Sequence, residues 1–293
     1  MKNKQALIFG ANGQDGFYLA QLLEQNSIEA IKISRTGTNI VGDVGDRAFV
    51  EAIIKQYQPQ FIFHLAANST TRHSALFENH ASICTGTLNI LESARLYCPD
   101  AIIFISGTAL QFKNDGNPIN EQTPFDASSA YSVARIQSVY AARYFRKTFS
   151  LKVYVGYFFN HDSPLRTEQH VNQKIVKTVN RIAAGSDEKL LIGNMDVQKE
   201  FNYAGDIVAA IWKLVNQQNF FEAVIGSGKA YSIKDWILYC FETKNLNWKD
   251  HVETDQAFVS EYKILVSNPQ LIISTGWVPR VNFYQLADMM LNS

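Results

Sequence analysis

Short apolar runs alternate with stretches of helical spacing through the first 160 residues. "ALIFG" (6–10) is apolar throughout and ends in glycine, which predicts a buried strand. "FYLAQLLEQN" (17–26) carries Leu19, Leu22 and Leu23 on one helical face. The alternation continues with a strand at 29–34, a helix at 47–58 that stops before Pro59, and a strand at 61–67. A helix at 86–97, a strand at 101–106, a long helix at 127–149 and a strand at 151–160 complete it. Apolar strands separated by helices predict a parallel sheet covered on both faces.

Beyond residue 160 the pattern loosens. Helices are expected at 171–185, 204–218 and 232–243, with short strands at 189–192 and 223–225. The fold class that follows is α/β, a Rossmann-type doubly wound parallel sheet with a smaller C-terminal substrate-binding part. The expected division is residues 1–160 for the dinucleotide and 161–293 for the substrate, interleaved with late sheet elements. Ligands bind outside the carboxyl ends of the strands in such sheets.

Composition narrows the classes without choosing among enzymes. Lys+Arg and Asp+Glu are both 27, so no basic excess points to nucleic acid or an anionic membrane surface. No apolar run reaches the ~20 residues needed to span a bilayer. Three cysteines (Cys84, Cys98 and Cys240) form neither a CxxC pair nor a metal-ligand spacing, which fits a reducing, cytoplasmic setting. The first strand begins by about residue 6, leaving no room for a signal peptide ahead of it. The six histidines show no HxxxH pair, so no metal is expected; His64 reads as a core residue. No GxSxG elbow or GxxxxGK[ST] loop is present.

The chemistry starts at "GANGQDG", which places Gly10, Gly13 and Gly16 between a strand and a helix, with Gln14 and Asp15 at the helix start. Glycines permit the tight turn, and a helix N-terminus offers unpaired N–H groups to a pyrophosphate. GxxGxxG is the spacing of the short-chain dehydrogenase/reductases. The second strand ends in Ser34 followed by Arg35, where an NAD site carries Asp or Glu; this favours NADP(H) over NAD(H). Asp43, beside Val44, is placed for the adenine amine. Leu65, Ala66, Ala67 and Ser69 in "HLAANS" let a cofactor approach the backbone.

"ALIFGANGQDGFYLAQLL", "GDV", "HLAANS", "GTLNILESAR", "FFNHDSP", "LLIGNMD" and "STGWVPR" resemble, in order and spacing, the GDP-mannose 4,6-dehydratases. These are extended short-chain dehydrogenase/reductases acting on nucleotide sugars, and the resemblance covers nearly the whole chain. It implies hydride transfer from C4 of a hexose to NADP, loss of water across C5 and C6, and return of the hydride to C6. It implies Tyr131 as the base, with Arg135 where the family has lysine. A phenol ionises near ~10, so such a base needs a cation beside it. The family's hydroxyl donor falls on Gly107 and its carboxylate on Ala109, while its Tyr-Gly pair reads Gln111-Phe112. Thr108, or else Ser106, is the remaining hydroxyl.

On the substrate side the resemblance implies Asn160, Arg166, Glu168, Lys174, Leu191, Gly193 and Lys199 around a diphosphate sugar, GDP-linked in the family pattern, with Arg166 and Glu168 near either the sugar ring or the neighbouring subunit's cofactor, and with Phe158 and Asn160 also near the cofactor. Lys199 stands where the family has arginine, and a further family arginine reads as Phe258. Helices such as 86–97 and 127–149 would pair two subunits, in a homodimer or homotetramer. Two rivals stay open. A 4-keto reductase or epimerase needs no carboxylate at Ala109, and a cofactor-binding or regulatory homologue would need no catalysis at all.

Overall fold

The computed structural model describes residues 4–255 and 260–293. Seven strands form one parallel sheet: β1 (Lys4–Phe9), β2 (Ile28–Ser34), β3 (Ile40–Val41), β4 (Phe61–His64), β5 (Ile102–Thr108), β6 (Lys152–Phe158) and β7 (Glu222–Ile225). Their spatial order is β7-β6-β5-β4-β1-β2-β3. The order reverses at β1, and a crevice opens where the crossovers diverge.

Alternate side chains of each strand feed two cores. Leu7, Phe9, Ile62, Ile103 and Ile105 face one layer of helices. Ala6, Ile8, Phe61, Phe63 and Phe104 face the other. Burial on both faces is why these strands read as unbroken apolar runs rather than as alternation. Each fully buried aliphatic or aromatic side chain contributes roughly 1.5–3 kcal/mol. A third cluster gathers Ile175, Val179, Trp236, Phe241, Phe283 and Met290. It is built from α5 (Val171–Ala183), α7 (Ile233–Thr243) and α8 (Phe283–Leu291), three helices that follow α1 (Gln14–Gln25), α2 (Arg47–Tyr57), α3 (Gly86–Tyr97) and α4 (Ala130–Phe149) in the chain. Between α5 and α7, α6 (Ala204–Val215) packs instead on the sheet.

Several boundaries differ from expectation, and the larger shifts are these. The helix expected from 127 starts at Ala130, because the Ser129 hydroxyl accepts from Ser132 N at 3.1 Å and caps it. The helix expected at 17–26 starts at Gln14, since Gly13 lies in extended conformation as its cap. The strand expected to run to residue 67 ends at His64, and the chain leaves the sheet to wall the crevice. The helix expected to reach 218 ends at Val215. The short strand Ile40–Val41 and the π-helical run His80–Thr85 carry no strong pattern of their own; α8, also not expected, does carry one, with Phe283, Leu286, Ala287, Met290 and Leu291 on one face and Asn282 as its cap.

Candidate active site

The glycine-rich turn joins β1 to α1, and its glycines do different work. Gly10 has φ +95°, and a Cβ there would lie 2.6 Å from the Ala66 nitrogen. A Cβ on Gly16 would lie 2.5 Å from the Gly10 carbonyl oxygen. Both are demanded by backbone meeting backbone. Gly13 is different: a Cβ there would meet only Gly10 O, at 3.4 Å. Its N–H donates to Gly10 O at 3.1 Å. The protein itself leaves room at Gly13, on the wall of a cleft of about 310 Å³ that also includes Ser34, Arg35, Asp43, Val44, Leu65, Ala66 and Ala67. Open backbone at a helix N-terminus suits the pyrophosphate of a dinucleotide.

At the outer end of this cleft, Arg35 Nη1 donates to Glu78 at 3.0 Å, and the same carboxylate accepts from Asn68 at 2.8 Å. Ser34 Oγ donates to Thr36 O at 2.7 Å. Asn12 donates to Thr36 O and accepts from Asn39, each at 2.6 Å, tying the turn to the loop after β2.

The inner end is a pocket of about 190 Å³ lined by Ser69, Ser106, Gly107, Thr108, Ala109, Tyr131, Arg135, Phe158, Asn160 and Arg166, among others. Tyr131 and Arg135 enter from the first turns of α4. The Arg135 guanidinium carbon lies 5.2 Å from the Tyr131 ring centre, a cation over an aromatic face. Arg135 is buried, and its Nη1 donates to both the carbonyl and the hydroxyl of Ser106. Among the described residues no carboxylate pairs with it, and its Nε has no partner. His64 lies within reach of this charge; burial, then Arg135, pushes its imidazole down to about 3. It is therefore neutral, as expected of a core histidine.

Two hydroxyls sit here with different freedom. Ser106 Oγ gives its proton to His64 O at 3.0 Å. Thr108 Oγ1 accepts from Leu110 N at 3.4 Å, and its own proton is not engaged. Gly107 lies between them with its Cα facing the other way. A Cβ there would come 2.6 Å from the Tyr157 ring and 3.0 Å from Gln111 Oε1. Gln111 is fully buried and accepts from Thr108 N at 2.9 Å. The departures at 107 and 111 are thus one packing solution: the amide occupies what a side chain at 107 would need. Ala109 is buried at the pocket wall.

Beyond β6 the chain brings charges together. Arg166 Nε donates to Asp162 at 3.1 Å, and Asn172 donates to Asp162 at 2.6 Å. Lys199 is 7% exposed, and its ammonium lies 5.2 Å from the Phe201 ring centre with no hydrogen bond among the described residues. Burial, only partly offset by Asp162, pushes its ammonium down to about 8. It lines a neighbouring cleft of about 480 Å³ with Lys174, Leu191, Gly193, Asp255 and Tyr262. Lys174 Nζ donates to Leu191 O at 2.6 Å.

A family model described as GDP-mannose 4,6 dehydratase matches residues 7–290. The chain belongs to the GDP-mannose 4,6 dehydratase family. GDP-mannose 4,6 dehydratase 1 of Arabidopsis thaliana is 28% identical over 323 residues, covering 99% of this chain and 89% of the relative. GDP-mannose 4,6-dehydratase of Vibrio cholerae is 26% identical, covering 100% and 94%. Among solved structures, RMD from Pseudomonas aeruginosa complexed with NADPH superposes with a TM-score of 0.87 at 17% identity, covering 99% and 98%. A dTDP-glucose 4,6-dehydratase from Bacillus anthracis in complex with NAD gives 0.86 at 17%, covering 99% and 96%. These structures share the fold of this chain.

Not every expected residue reaches a pocket. Gln14 and Gly16 are buried beneath the turn, and Gln14 donates to His161 O at 3.2 Å. Glu168 pairs with Arg181 at 3.0 Å on the surface rather than with the cleft, because Arg181 draws it to the outer face of α5. Phe258 lies outside the described residues. The two stretches most typical of the GDP-mannose 4,6 dehydratase family, "GANGQDG" and "FFNHDSP", touch: Asp15 meets His161 at 3.0 Å, and Ser163 donates to Gln14 at 2.8 Å. Sequence reasoning missed His161, His170, Leu110, Leu265 and Tyr262 as wall residues. The first two had a signal, in polar residues adjoining a recognised stretch; Leu265 and Tyr262 arrive only through tertiary folding.

Proposed function

We propose that this chain is a nicotinamide-dependent enzyme acting at C4 of a nucleotide-diphosphate hexose, GDP-linked in the first instance, as in the names of its relatives. The observation that carries the reading is that Tyr131, Thr108 and Arg135 line the inner end of the crevice whose outer end is the GxxGxxG turn. The reading takes residues 1–160 as the dinucleotide part and 161–293 as the part holding the sugar nucleotide.

The cleft fits a dinucleotide on its own features, through the space left at Gly13 and the walls of Ala66 and Ala67. Ser34 and Arg35, standing where an acidic residue would favour NAD(H), support NADP(H); the pair with Glu78 uses one N–H of Arg35, and the guanidinium has others. When bound, the nicotinamide supplies a hydride acceptor and donor. Tyr131 is the base for the O4 proton, with Arg135 as the cation beside it. Thr108 donates its free hydroxyl proton to O4. Asn160, Arg166 and Lys199 hold the diphosphate. Leu88, Leu96, Tyr140, Tyr144 and Phe149 expose 38–58% of their surfaces on α3 and α4, which supports pairing of two subunits there.

A second reading, a 4-keto reductase or epimerase, is favoured by one observation. Position 109 is alanine, and Asp15, the sole carboxylate lining the inner pocket among the described residues, is bound by His161. Removing the C5 proton for dehydration falls to a carboxylate in the family pattern, and among the described residues this pocket holds no free one. Incubation with GDP-mannose and NADP, read by mass, separates the two. Loss of water supports dehydration. Consumption of a supplied 4-keto sugar alone, with oxidation of NADPH, overturns it. Dinucleotide binding without turnover of either sugar points to a homologue that has lost catalysis.

A further inference from the structure

We propose that His161 is a positioning residue for the dinucleotide turn: as an imidazolium it neutralises Asp15, and so lets an anion approach the N-terminus of α1. The proposal rests on reading the cleft as a dinucleotide site.

The geometry fixes the protons. His161 Nδ1 lies 2.8 Å from the Phe159 carbonyl oxygen, which has no proton to give, so Nδ1 donates. Nε2 lies 3.0 and 3.1 Å from the two oxygens of Asp15. A neutral ring would then turn a lone pair on a carboxylate. Nearly equal distances to both oxygens fit one N–H shared between them. The ring is buried, with its edge on Phe158 at 5.5 Å, so it cannot turn to water. Burial disfavours the charged ring, but the charge and hydrogen bond of Asp15 outweigh it and hold His161 above its ordinary range. Burial alone would raise Asp15; the charge and hydrogen bond of His161, with Arg166, hold it low instead.

Asp15 belongs to the first turn of α1, where the helix dipole favours a negative group. A dinucleotide pyrophosphate is another negative group at the same terminus. Left uncompensated, Asp15 opposes it. The charged groups around His161 are Asp15 from α1, Asp162 and Arg166 from its own segment, and His170 from the residue capping α5, with Lys199 set against Asp162. Arg166 is committed to Asp162 at 3.1 Å, so His161 is the cation in contact with Asp15. Gln14 reinforces the join, donating to His161 O and accepting from Ser163.

The sign follows. Below the raised value of His161 the pair is intact. As pH climbs through it, the Nε2 proton leaves, Asp15 is uncompensated, and dinucleotide affinity falls. The experiment is titration of the full chain with NADPH and with NADH by fluorescence or calorimetry, from about pH 6 to about pH 9. Wild-type affinity is expected to weaken about tenfold across the range. His161→Gln should bind about tenfold more weakly at the acid end and lose the limb. Asp15→Asn/His161→Gln should regain most of that loss, because no carboxylate is left unpaired; a merely structural histidine would give a double variant at least as weak as the single. Equal weakness of single and double variants, or a flat wild-type profile, overturns the proposal. Should His161→Gln not fold, nitrogen NMR of histidine-labelled wild type decides: both ring nitrogens of one histidine stay protonated past the point where free histidine is neutral, or the proposal fails. Wild type that binds neither dinucleotide overturns the reading of the cleft as well.

Discussion

At the outer end of the crevice, backbone meets backbone: Gly10 against Ala66, Gly16 against Gly10. At the inner end, side chain meets side chain: Gln111 and Tyr157 crowd Gly107, and Arg135 reaches across to Ser106. A backbone contact has no alternative rotamer, so nothing but glycine satisfies it. A side-chain contact can be re-solved when several positions change together, and Gly107, Gln111 and Tyr157 are packed here as such a set. The outer end is therefore a constraint of folding, whereas the inner end is a choice of chemistry.

The comparison breaks most sharply at Tyr131. Its hydroxyl makes no hydrogen bond among the described residues, so Tyr131→Phe should move stability by under about 0.5 kcal/mol. Turnover of the correct sugar nucleotide should nevertheless fall about 10²–10⁴-fold, as for loss of a general base. Paired unfolding and kinetic measurements test this, and a large loss of stability with little loss of rate would invert the comparison. Gly10→Ala should do the opposite. The left-handed φ of +95° and the contact at 2.6 Å together cost about 3 kcal/mol or more, visible as a lowered denaturation midpoint before any assay of rate.

Positions 107 and 109 sharpen the inner end. Gly107→Thr would drive a side chain into the Tyr157 ring and displace Gln111, at a cost of about 1–3 kcal/mol. Ala109→Glu adds a carboxylate at a pocket wall and should cost less. If dehydration is the step this site has given up for want of a base, Ala109→Glu with Arg135→Lys should produce water loss from GDP-mannose by mass. No product from the pair would count against both the alignment and the substrate class. Restoring the hydroxyl at 107 as well requires shrinking Tyr157, so the missing donor is the harder change.

The sheet was legible because burial on both faces writes a continuous apolar run, and the turn was legible because Gly10 and Gly16 have no substitutes. The inner pocket was legible in part, through Tyr131, Arg135, Ser106 and Thr108, which do line it together. Nothing in "SGTALQF" says that Thr108 keeps its proton while Ser106 spends it on His64, since that depends on which way β5 turns each residue. Glu168 shows a related limit. The resemblance implied a place near the sugar or a neighbouring subunit's cofactor, and within this chain it pairs with Arg181, 13 residues on, at the surface. The join between Asp15 and His161 spans 146 residues, beyond any local pattern.

Lys199 gives the smallest and most specific test, because it sits between the two ends in character: a buried cation held by folding, yet with no hydrogen bond to hold it among the described residues. Its ammonium is pushed down to about 8, chiefly by burial. A diphosphate binds the charged form, so binding raises that value again. Affinity for GDP or GDP-mannose, measured without dinucleotide, should be flat below about pH 7 and fall by up to about tenfold per unit above about pH 8, the limit for one proton. Lys199→Arg keeps the charge at every pH in that range and should remove the slope. Lys199→Gln should remove it too, at uniformly weaker binding. A slope that survives Lys199→Arg assigns the proton elsewhere in the cluster, to His161, whose imidazole Asp15 holds above its ordinary range, and takes the diphosphate away from Lys199.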